Sequence, residues 1–89
     1  MNIKYRSIAP RIWLYGYLEY IDIDISVLTD DSEFIKDAGI DSLDAVELVM
    51  SAERNYEIQI PDDEVEELTT IGKFINYLNN KTSITLRMP

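Results

Sequence analysis

The 89-residue sequence contains no cysteine and no histidine, and these two absences exclude several classes of function. Without cysteine the chain forms no disulfide and no thiolate metal site, so any thiol chemistry must come from an added group. Without histidine it lacks the commonest general base and the commonest transition-metal ligand of proteins. Together the absences favour a protein that is not an enzyme, and we expect no metal centre.

Positive charge is also scarce in the middle of the chain. The formal net charge is −9, and all but one of the 17 acidic residues lie between Asp22 and Glu67. Of the 8 basic residues, only Lys36 and Arg54 fall in that segment. A protein with this charge repels nucleic acid and anionic membranes, so we expect its partners to be basic protein surfaces.

Long apolar runs are missing as well. No stretch approaches the ~18 apolar residues of a membrane span, and the N-terminus lacks the continuous apolar stretch of a signal peptide. The length suits one domain and is too short for two. We therefore expect a single domain over residues 1–89, monomeric and cytoplasmic, with an N-terminal extension at residues 1–8 and a loose tail at residues 81–89.

A first helix is predicted to begin at Pro10, which suits a first turn because its missing N–H has no partner to lose there. The expected buried face is the row at helical spacing, formed by Pro10, Trp13, Tyr17 and Ile21. Residues 12–15 are rich in β-formers, so a strand is the competing interpretation. An acidic connection follows over residues 22–36, and its expected core anchors are Leu28, Phe34 and Ile35.

The second helix has the clearest pattern, and it is predicted to begin at Asp41 or Ser42 and to end near Tyr56. Its polar positions form one solvent stripe, made of Asp44, Glu47, Ser51 and Arg54. Its apolar positions predict that most of the helix is buried, and they are Leu43, Val46, Val49, Met50 and Ala52.

Two further helices are predicted beyond Pro61. A proline disfavours helix at the residue before it and permits helix after it. Residues 62–68 are typical of a short acidic helix. Thr69 or Thr70 then caps a last helix, which the two asparagines at residues 79–80 should stop. Its predicted apolar face consists of Ile71, Phe74, Ile75 and Leu78.

A serine at the start of the second helix can play two roles. Ser42 lies beside unpaired backbone N–H groups and the positive end of the helix dipole, which would hold a phosphate ester on its hydroxyl. Serine and aspartate are also ordinary helix N-caps, and position alone favours capping. A nucleophile of the hydrolase type is implausible here, because the chain offers no histidine to activate it.

The residues around Ser42 form part of a longer run. Residues 37–50 read Asp-Ala-Gly-Ile-Asp-Ser-Leu-Asp-Ala-Val-Glu-Leu-Val-Met, and further landmarks follow at residues 60–63 (Ile-Pro-Asp-Asp), at residues 69–72 (Thr-Thr-Ile-Gly) and near residues 77–78. This set resembles the phosphopantetheine attachment region of free-standing bacterial acyl carrier proteins. The resemblance implies an all-α fold, an acyl-carrier-like bundle of three main helices plus one short helix.

The same resemblance implies a chemistry. A holo-acyl-carrier-protein synthase would attach 4′-phosphopantetheine to Ser42 within the motif Asp41, Ser42, Leu43, with Asp41 assisting its metal-dependent step. The protein would then hold acyl chains as thioesters for fatty-acid or polyketide-type synthesis, or for a specialised pathway. Its other partners would be acyl-loading and chain-elongating enzymes with basic docking surfaces. Two alternatives stay open: a carrier of aminoacyl units, and an unmodified acidic interaction module.

Docking residues are expected on the polar stripe of the second helix. The helix dipole rewards an acid in the first turn by ~0.3–1 kcal/mol, so Asp44 needs no functional reason to be there. Glu47 lies beyond that turn and is either a solvated surface residue or a docking residue. The resemblance favours docking by Glu47, with Asp44 beside it. Arg54 stands where the family commonly has an acid. It is either a surface charge paired with Glu53 or Glu57, or a docking residue that repels generic partners.

A cavity for the acyl chain would share its residues with the core. The candidates are Phe34, Ile40, Val46, Met50, Ile60, Leu68, Ile71 and Phe74, and ordinary packing is the commoner role for each of them. Met50 suits a variable guest, because its unbranched thioether repacks easily.

Gly16 in the first helix is a departure from the pattern of the family that the chain resembles. Glycine inside a helix costs ~1 kcal/mol against alanine unless a neighbour needs the space.

Overall fold

The computed structural model describes the backbone of residues 8–87 and the side chains of residues 8–82. This part of the chain contains a 3₁₀ turn at Ile25–Val27 and four α-helices, which we name α1 (Pro10–Tyr20), α2 (Ser42–Tyr56), α3 (Asp62–Val65) and α4 (Ile71–Arg87). The predicted all-α bundle of three main helices and one short helix is confirmed. None of the helices within the described residues is both long and apolar enough to cross a membrane.

α1 begins at Pro10, as predicted, and the strand alternative is wrong. The predicted buried face is also wrong in part, because the residues that α1 buries are Pro10, Leu14 and Leu18. Trp13, Tyr17 and Ile21 are only half-buried. The Trp13 ring stacks on Tyr17 with centroids 5.5 Å apart and meets Tyr56 edge-on at 5.8 Å. The leucines therefore fill the small core, and the large rings cover its edge. Residues 1–7 of the predicted extension lie outside the described residues.

Backbone hydrogen bonds hold the connection between α1 and α2 against the start of α4. The Gly72 N–H donates to the carbonyl oxygen of Asp30 at 2.8 Å, and the Ile71 N–H donates to that of Ser32 at 3.0 Å. The first N–H groups of a helix have no partner within it. The connection thus satisfies donors that α4 would otherwise leave unpaired.

The next residues of the connection pair with the segment before α4 as a short extended bridge between Glu33 and Thr70. The Phe34 N–H donates to the carbonyl oxygen of Thr69 at 3.1 Å, and the Phe34 side chain is buried. Residues 34–37 then form a turn, in which the Asp37 N–H donates to the carbonyl oxygen of Glu33 at 2.9 Å. The prediction that Ile35 anchors the connection is therefore wrong, since it is exposed. Phe34 is a core residue, as predicted.

Asp30 also joins the connection to α1. Its carboxylate accepts two hydrogen bonds from the Arg11 guanidinium, with Nη1 2.8 Å from Oδ1 and Nη2 2.9 Å from Oδ2. These bonds hold the pKa of the Asp30 carboxyl below its ordinary value. Because the folded pKa is the lower one, this contribution to stability is present at neutral pH and is lost as the pH falls through the folded pKa. Asp30 therefore contacts α1 through its side chain and α4 through its backbone.

α2 buries a single row of side chains, formed by Leu48, Ala52 and Tyr56. The prediction that most of α2 is buried is wrong, because Leu43, Val46 and Met50 are exposed. The neighbouring α3 has only four residues and leaves this side of α2 uncovered. Burial raises the pKa of the Tyr56 hydroxyl to about 12, and that hydroxyl donates to the carbonyl oxygen of Ile8 at 2.8 Å.

The last two helices differ from the prediction in length. α3 ends at Val65, and α4 continues through residues 79–80 to Arg87, so the predicted stop is wrong. Asparagine weakens a helix by only ~0.7 kcal/mol against alanine, and packing outweighs that preference. The predicted apolar face of α4 is confirmed, since Ile71, Phe74, Ile75 and Leu78 are all buried. The Lys73 N–H donates to Thr70 Oγ1 at 3.2 Å, which identifies Thr70 as the capping threonine.

Gly72 has no room for a side chain, and this gives a first prediction. A Cβ at Gly72 would lie 2.9 Å from the Asp30 Cβ and 3.0 Å from the Asp30 carbonyl oxygen. Because the second of these is a backbone atom, the connection itself would have to move. We expect Gly72→Ala to lower the free energy of unfolding by about 1–3 kcal/mol in urea denaturation.

Gly16→Ala is the matched control. Gly16 is exposed on α1, and no atom lies within 4 Å of the place where its Cβ would be. Alanine is the better helix former by about 1 kcal/mol, so this substitution should raise stability. A Gly72→Ala protein as stable as wild type would show that the contact with Asp30 does not constrain the fold.

Candidate functional site

A compact turn places Ser42 at the surface as the first residue of α2. Gly39 has a φ of +81°, in the left-handed region that glycine adopts without strain. The Ile40 N–H then donates to the carbonyl oxygen of Phe34 at 3.2 Å, and the Ile40 side chain is buried. These contacts fix the residue before Asp41, and so they fix where α2 begins.

The N-cap of α2 is Asp41. The sequence left open whether Ser42 serves as a cap, and the structure shows that it does not. The Asp41 Oδ1 accepts a hydrogen bond from the Asp44 N–H at 2.8 Å. Ser42 is exposed, and in the part of the chain that the structure describes its hydroxyl has no hydrogen-bond partner. Capping therefore falls to Asp41, and the Ser42 hydroxyl is left for another role.

The surroundings of Ser42 fit a phosphate ester. The N–H groups of the first turn of α2 and the positive end of its dipole lie beside the Ser42 hydroxyl. Anionic oxygens attached there would find backbone donors without any further side chain. The Asp41 carboxylate lies next to them, but one of its oxygens is already held by the Asp44 N–H.

The exposed side of α2 near Ser42 mixes apolar and acidic side chains. Leu43 is 77% exposed, Val46 55% and Met50 44%. Asp44 and Glu47, the predicted docking acids, are exposed on the same helix. Large apolar side chains that lie together at a surface are typical of interaction sites, and the acids give this side of α2 a negative charge.

Arg54 lies at the other end of the same helix, about 18 Å from Ser42 along its axis. Its Nη2 donates to Ser51 Oγ at 3.2 Å. Glu53, one of the partners considered for it, accepts instead from the Ile60 N–H through Oε2 at 2.8 Å. Arg54 is exposed, so it places a positive charge at the end of an acidic stripe.

A cavity of about 450 Å³ lies between α2, α3 and the connection. Its volume is within the range of small-molecule sites. Val46 and Met50 belong to its lining and are exposed, so it opens about 6–12 Å from Ser42 along α2. The lining residues are Glu33, Phe34, Ile35, Ala45, Val46, Leu48, Val49, Met50, Glu53, Ile60, Asp62, Val65, Glu66, Leu68, Thr69 and Phe74.

The cavity includes most of the residues predicted for it, namely Phe34, Val46, Met50, Ile60, Leu68 and Phe74. Ile40 and Ile71 do not line it and are buried in the core. The apolar lining residues that sequence reasoning missed are Ile35, Ala45, Leu48, Val49 and Val65. A signal for Leu48 was present, because Leu48, Ala52 and Tyr56 recur every four residues on one face of α2.

α3 forms one wall of the cavity and is too short to be stable alone. The Tyr77 hydroxyl on α4 donates a hydrogen bond to Glu64 Oε1 on α3. The pKa of Tyr77 is raised above its ordinary value. Burial is the largest cause, and this hydrogen bond to Glu64 is the second largest. The Lys81 ammonium lies 5.4 Å from the centre of the Tyr77 ring. The wall is thus attached to α4 by a side-chain contact that the sequence pattern did not indicate.

Residues 18–78 match the protein family described as the phosphopantetheine attachment site. This range covers all of α2 and α3 and the first two turns of α4. The match therefore includes both the exposed serine and the cavity.

Three relatives of the chain share one name. The chain is 42% identical over 66 residues to an acyl carrier protein of Caulobacter vibrioides, which covers 74% of this chain and 85% of that protein. It is 43% identical over 65 residues to an acyl carrier protein of a Picosynechococcus species, with coverages of 73% and 80%. It is 39% identical over 62 residues to an acyl carrier protein of Helicobacter pylori, with coverages of 70% and 80%.

The contact between Tyr77 and Glu64 gives a second prediction. Tyr77→Phe keeps the ring and removes the hydrogen bond to a carboxylate, so it should lower the free energy of unfolding by about 1–2 kcal/mol. Because the folded pKa of Tyr77 is raised, its contribution is complete below the unfolded tyrosine pKa of about 10 and is lost as the pH rises further. Urea titrations between neutral and strongly alkaline pH should therefore show a shallower loss of stability for Tyr77→Phe than for wild type.

Tyr20→Phe serves as the control, since Tyr20 is exposed on α1. It should leave the free energy of unfolding at neutral pH unchanged. A double substitution with Glu64→Gln tests the pairing, because the loss from Tyr77→Phe should shrink when Glu64 is already changed. Fully additive losses would mean that the two side chains do not stabilise each other.

Proposed function

Because the chain belongs to the acyl carrier protein family, we propose that Ser42 is the residue that carries its 4′-phosphopantetheine group. The protein is a carrier rather than an enzyme, and it holds acyl chains as thioesters for fatty-acid-type synthesis. The group supplies the thiol, which the chain itself cannot do because it has no cysteine. One observation carries the assignment: the exposed Ser42 hydroxyl at the N-terminus of α2, left free because Asp41 is the cap.

The residues on either side of Ser42 have separate roles in this proposal. Asp41 fixes the first turn of α2 through Oδ1, which holds Ser42 at the surface in a constant position. The other oxygen of Asp41 is left for the metal-dependent step of the holo-synthase. Leu43 is the most exposed apolar residue of α2, and it offers an apolar contact next to the hydroxyl that reacts.

The cavity beside α2 is the proposed place for the acyl chain. Its opening at Val46 and Met50 lies about 6–12 Å from Ser42 along α2, so a flexible arm on Ser42 can reach it. A mostly apolar lining favours a hydrocarbon guest, since each methylene removed from water contributes about 0.8 kcal/mol. Met50 at the opening can change its rotamer as chains of different length enter.

Partner enzymes are proposed to dock on the exposed side of α2. A carrier must meet the synthase that attaches its group and the enzymes that use its cargo. Asp44 and Glu47 attract basic surfaces, and Leu43, Val46 and Met50 provide the apolar area beside them. Arg54 repels part of a basic surface that reaches the far end of α2, and this disfavours generic partners.

The assignment of Ser42 gives a third prediction. Ser42→Ala should abolish transfer of 4′-phosphopantetheine from coenzyme A by a holo-synthase, measured as the absence of added mass on the intact protein. Stability should change little, because the cap is Asp41; Asp41→Ala should cost about 1 kcal/mol instead.

Ser51→Ala is the control for this experiment, since Ser51 lies on the same helix and should not be needed. The variant should gain the same mass as wild type. Peptide mapping of the modified wild type should locate the group on Ser42. Its presence on any other residue, or its absence from wild type, contradicts the proposal.

The charge of the docking side gives a fourth prediction. Glu47→Lys should slow modification by the holo-synthase by roughly threefold to tenfold at low salt, because rim charges steer association. Added salt should reduce the difference from wild type by screening. Arg54→Glu should act in the opposite sense and improve use of the carrier by generic fatty-acid enzymes, with stability nearly unchanged.

Glu19→Lys is the control, because it makes the same change in net charge at an exposed position on α1. It should leave the rate close to that of wild type. An equal slowing by Glu19→Lys would show that only overall charge matters. If neither Glu47→Lys nor added salt changes the rate of modification by the holo-synthase, docking through this side of α2 is excluded.

A further inference from the structure

The cavity beside α2 has an exposed rim and a buried floor. Val46 and Met50 belong to the rim, since both line the cavity and both are exposed. The floor is made of the lining residues that are buried, namely Phe34, Leu48, Ile60 and Phe74. A guest that enters past the rim reaches this floor, so the floor decides how deep it can go.

Two aromatic rings close the floor. Phe34 and Phe74 lie edge to face, with ring centroids 5.7 Å apart and ring planes at 84°. Phe34 is 5% exposed and Phe74 is 1% exposed. The edge-to-face arrangement is favourable beyond the burial of area, so the two rings resist being separated by a guest.

The backbone holds both rings at the start of α4. The Phe34 N–H donates to the carbonyl oxygen of Thr69, and the Phe74 N–H donates to that of the next residue, Thr70, each at 3.1 Å. The opposite wall is α3, a four-residue helix held through the contact of Tyr77 with Glu64. A guest can therefore displace the α3 wall more readily than the aromatic floor.

We propose that Phe74, backed by Phe34, sets the length of acyl chain that this carrier can bury. Phe74 is the residue that α4 contributes to the lining, among the residues that the structure describes. The inference rests on the proposed function, since it requires that the chain attached through Ser42 enters this cavity. The guest is an unbranched, uncharged hydrocarbon chain. Chains that just reach the rings are covered completely, and longer ones leave carbons at the rim beside Met50.

The stability of acylated protein measures this limit without any partner enzyme. Full-length protein is charged at Ser42 with saturated straight chains, from acetyl upward in steps of one methylene, and each product is unfolded in urea. Within the cavity the ratio of unfolded to folded protein should fall roughly fourfold per methylene, and beyond the limit it should stay constant. In Phe74→Leu the ratio should keep falling to chains about one methylene longer, because the smaller side chain opens the floor.

Ile75→Val is the matched control, because Ile75 follows Phe74 on α4, is buried and does not line the cavity. It should lower stability equally for all chain lengths and leave the limit unchanged. A wild-type measurement supports the variants: the terminal methyl of a ¹³C-labelled chain at the limiting length should give nuclear Overhauser effects to the ring protons of Phe34 and Phe74. If Phe74→Leu does not fold, this measurement decides the question.

The outcomes separate the inference from the proposed function. An unchanged limit in Phe74→Leu, or no Overhauser effect to either ring, overturns the role of Phe74 and leaves the carrier function intact. Stability that is independent of chain length, with the group found on Ser42, shows that the acyl chain does not enter the cavity. The absence of the group from Ser42 contradicts the proposed function itself.

Discussion

The packing of the α1–α2 connection onto the N-terminus of α4 is the contact on which the rest of the molecule depends. Gly72 approaches Asp30 so closely that their backbones bond directly and no Cβ fits between them. From this point the connection carries Phe34 into the core and then turns at Gly39 to start α2. The position of Ser42 is therefore set by a contact in a different part of the fold. The same contact places Phe34 against Phe74, so Ser42 and the cavity floor share one support.

The helix starts, and with them the position of Ser42 at the start of α2, could be predicted because they depend on local chemistry. α1 begins at Pro10 because proline lacks the N–H that the first turn of a helix would leave unpaired. α2 begins after Asp41 because the Asp41 carboxylate reaches the Asp44 N–H. The exposed faces could not be predicted, because exposure depends on what lies opposite. The apolar side of α2 looks like a core face in sequence, and only the shortness of α3 leaves it open. Contacts between distant residues, such as that of Tyr77 with Glu64, leave no periodic signal at all.

α2 serves two purposes through two sides of one helix. The row through Leu48 and Tyr56 belongs to the core and holds the helix in the bundle. The side with Val46 and Met50 belongs to the cavity and to the surface at once. A partner that covers this side also covers the opening of the cavity. The proposed docking and the proposed release of a buried chain would therefore act on the same side chains, and each could influence the other.

The crowding of acids between Asp22 and Glu67 makes the free protein and its complexes respond to salt in opposite ways. Repulsion among these carboxylates favours the expanded unfolded chain. Dissolved ions screen most of the repulsion between exposed charges that lie more than about 8 Å apart at physiological ionic strength. Salt thus strengthens the isolated fold while it weakens attraction to a basic partner. A basic partner relieves the same repulsion by direct neutralisation, and whatever binds only the folded state stabilises it. Docking on a basic partner, as proposed above, would therefore leave the carrier more firmly folded than it is between encounters, when the carboxylates face only water and small ions.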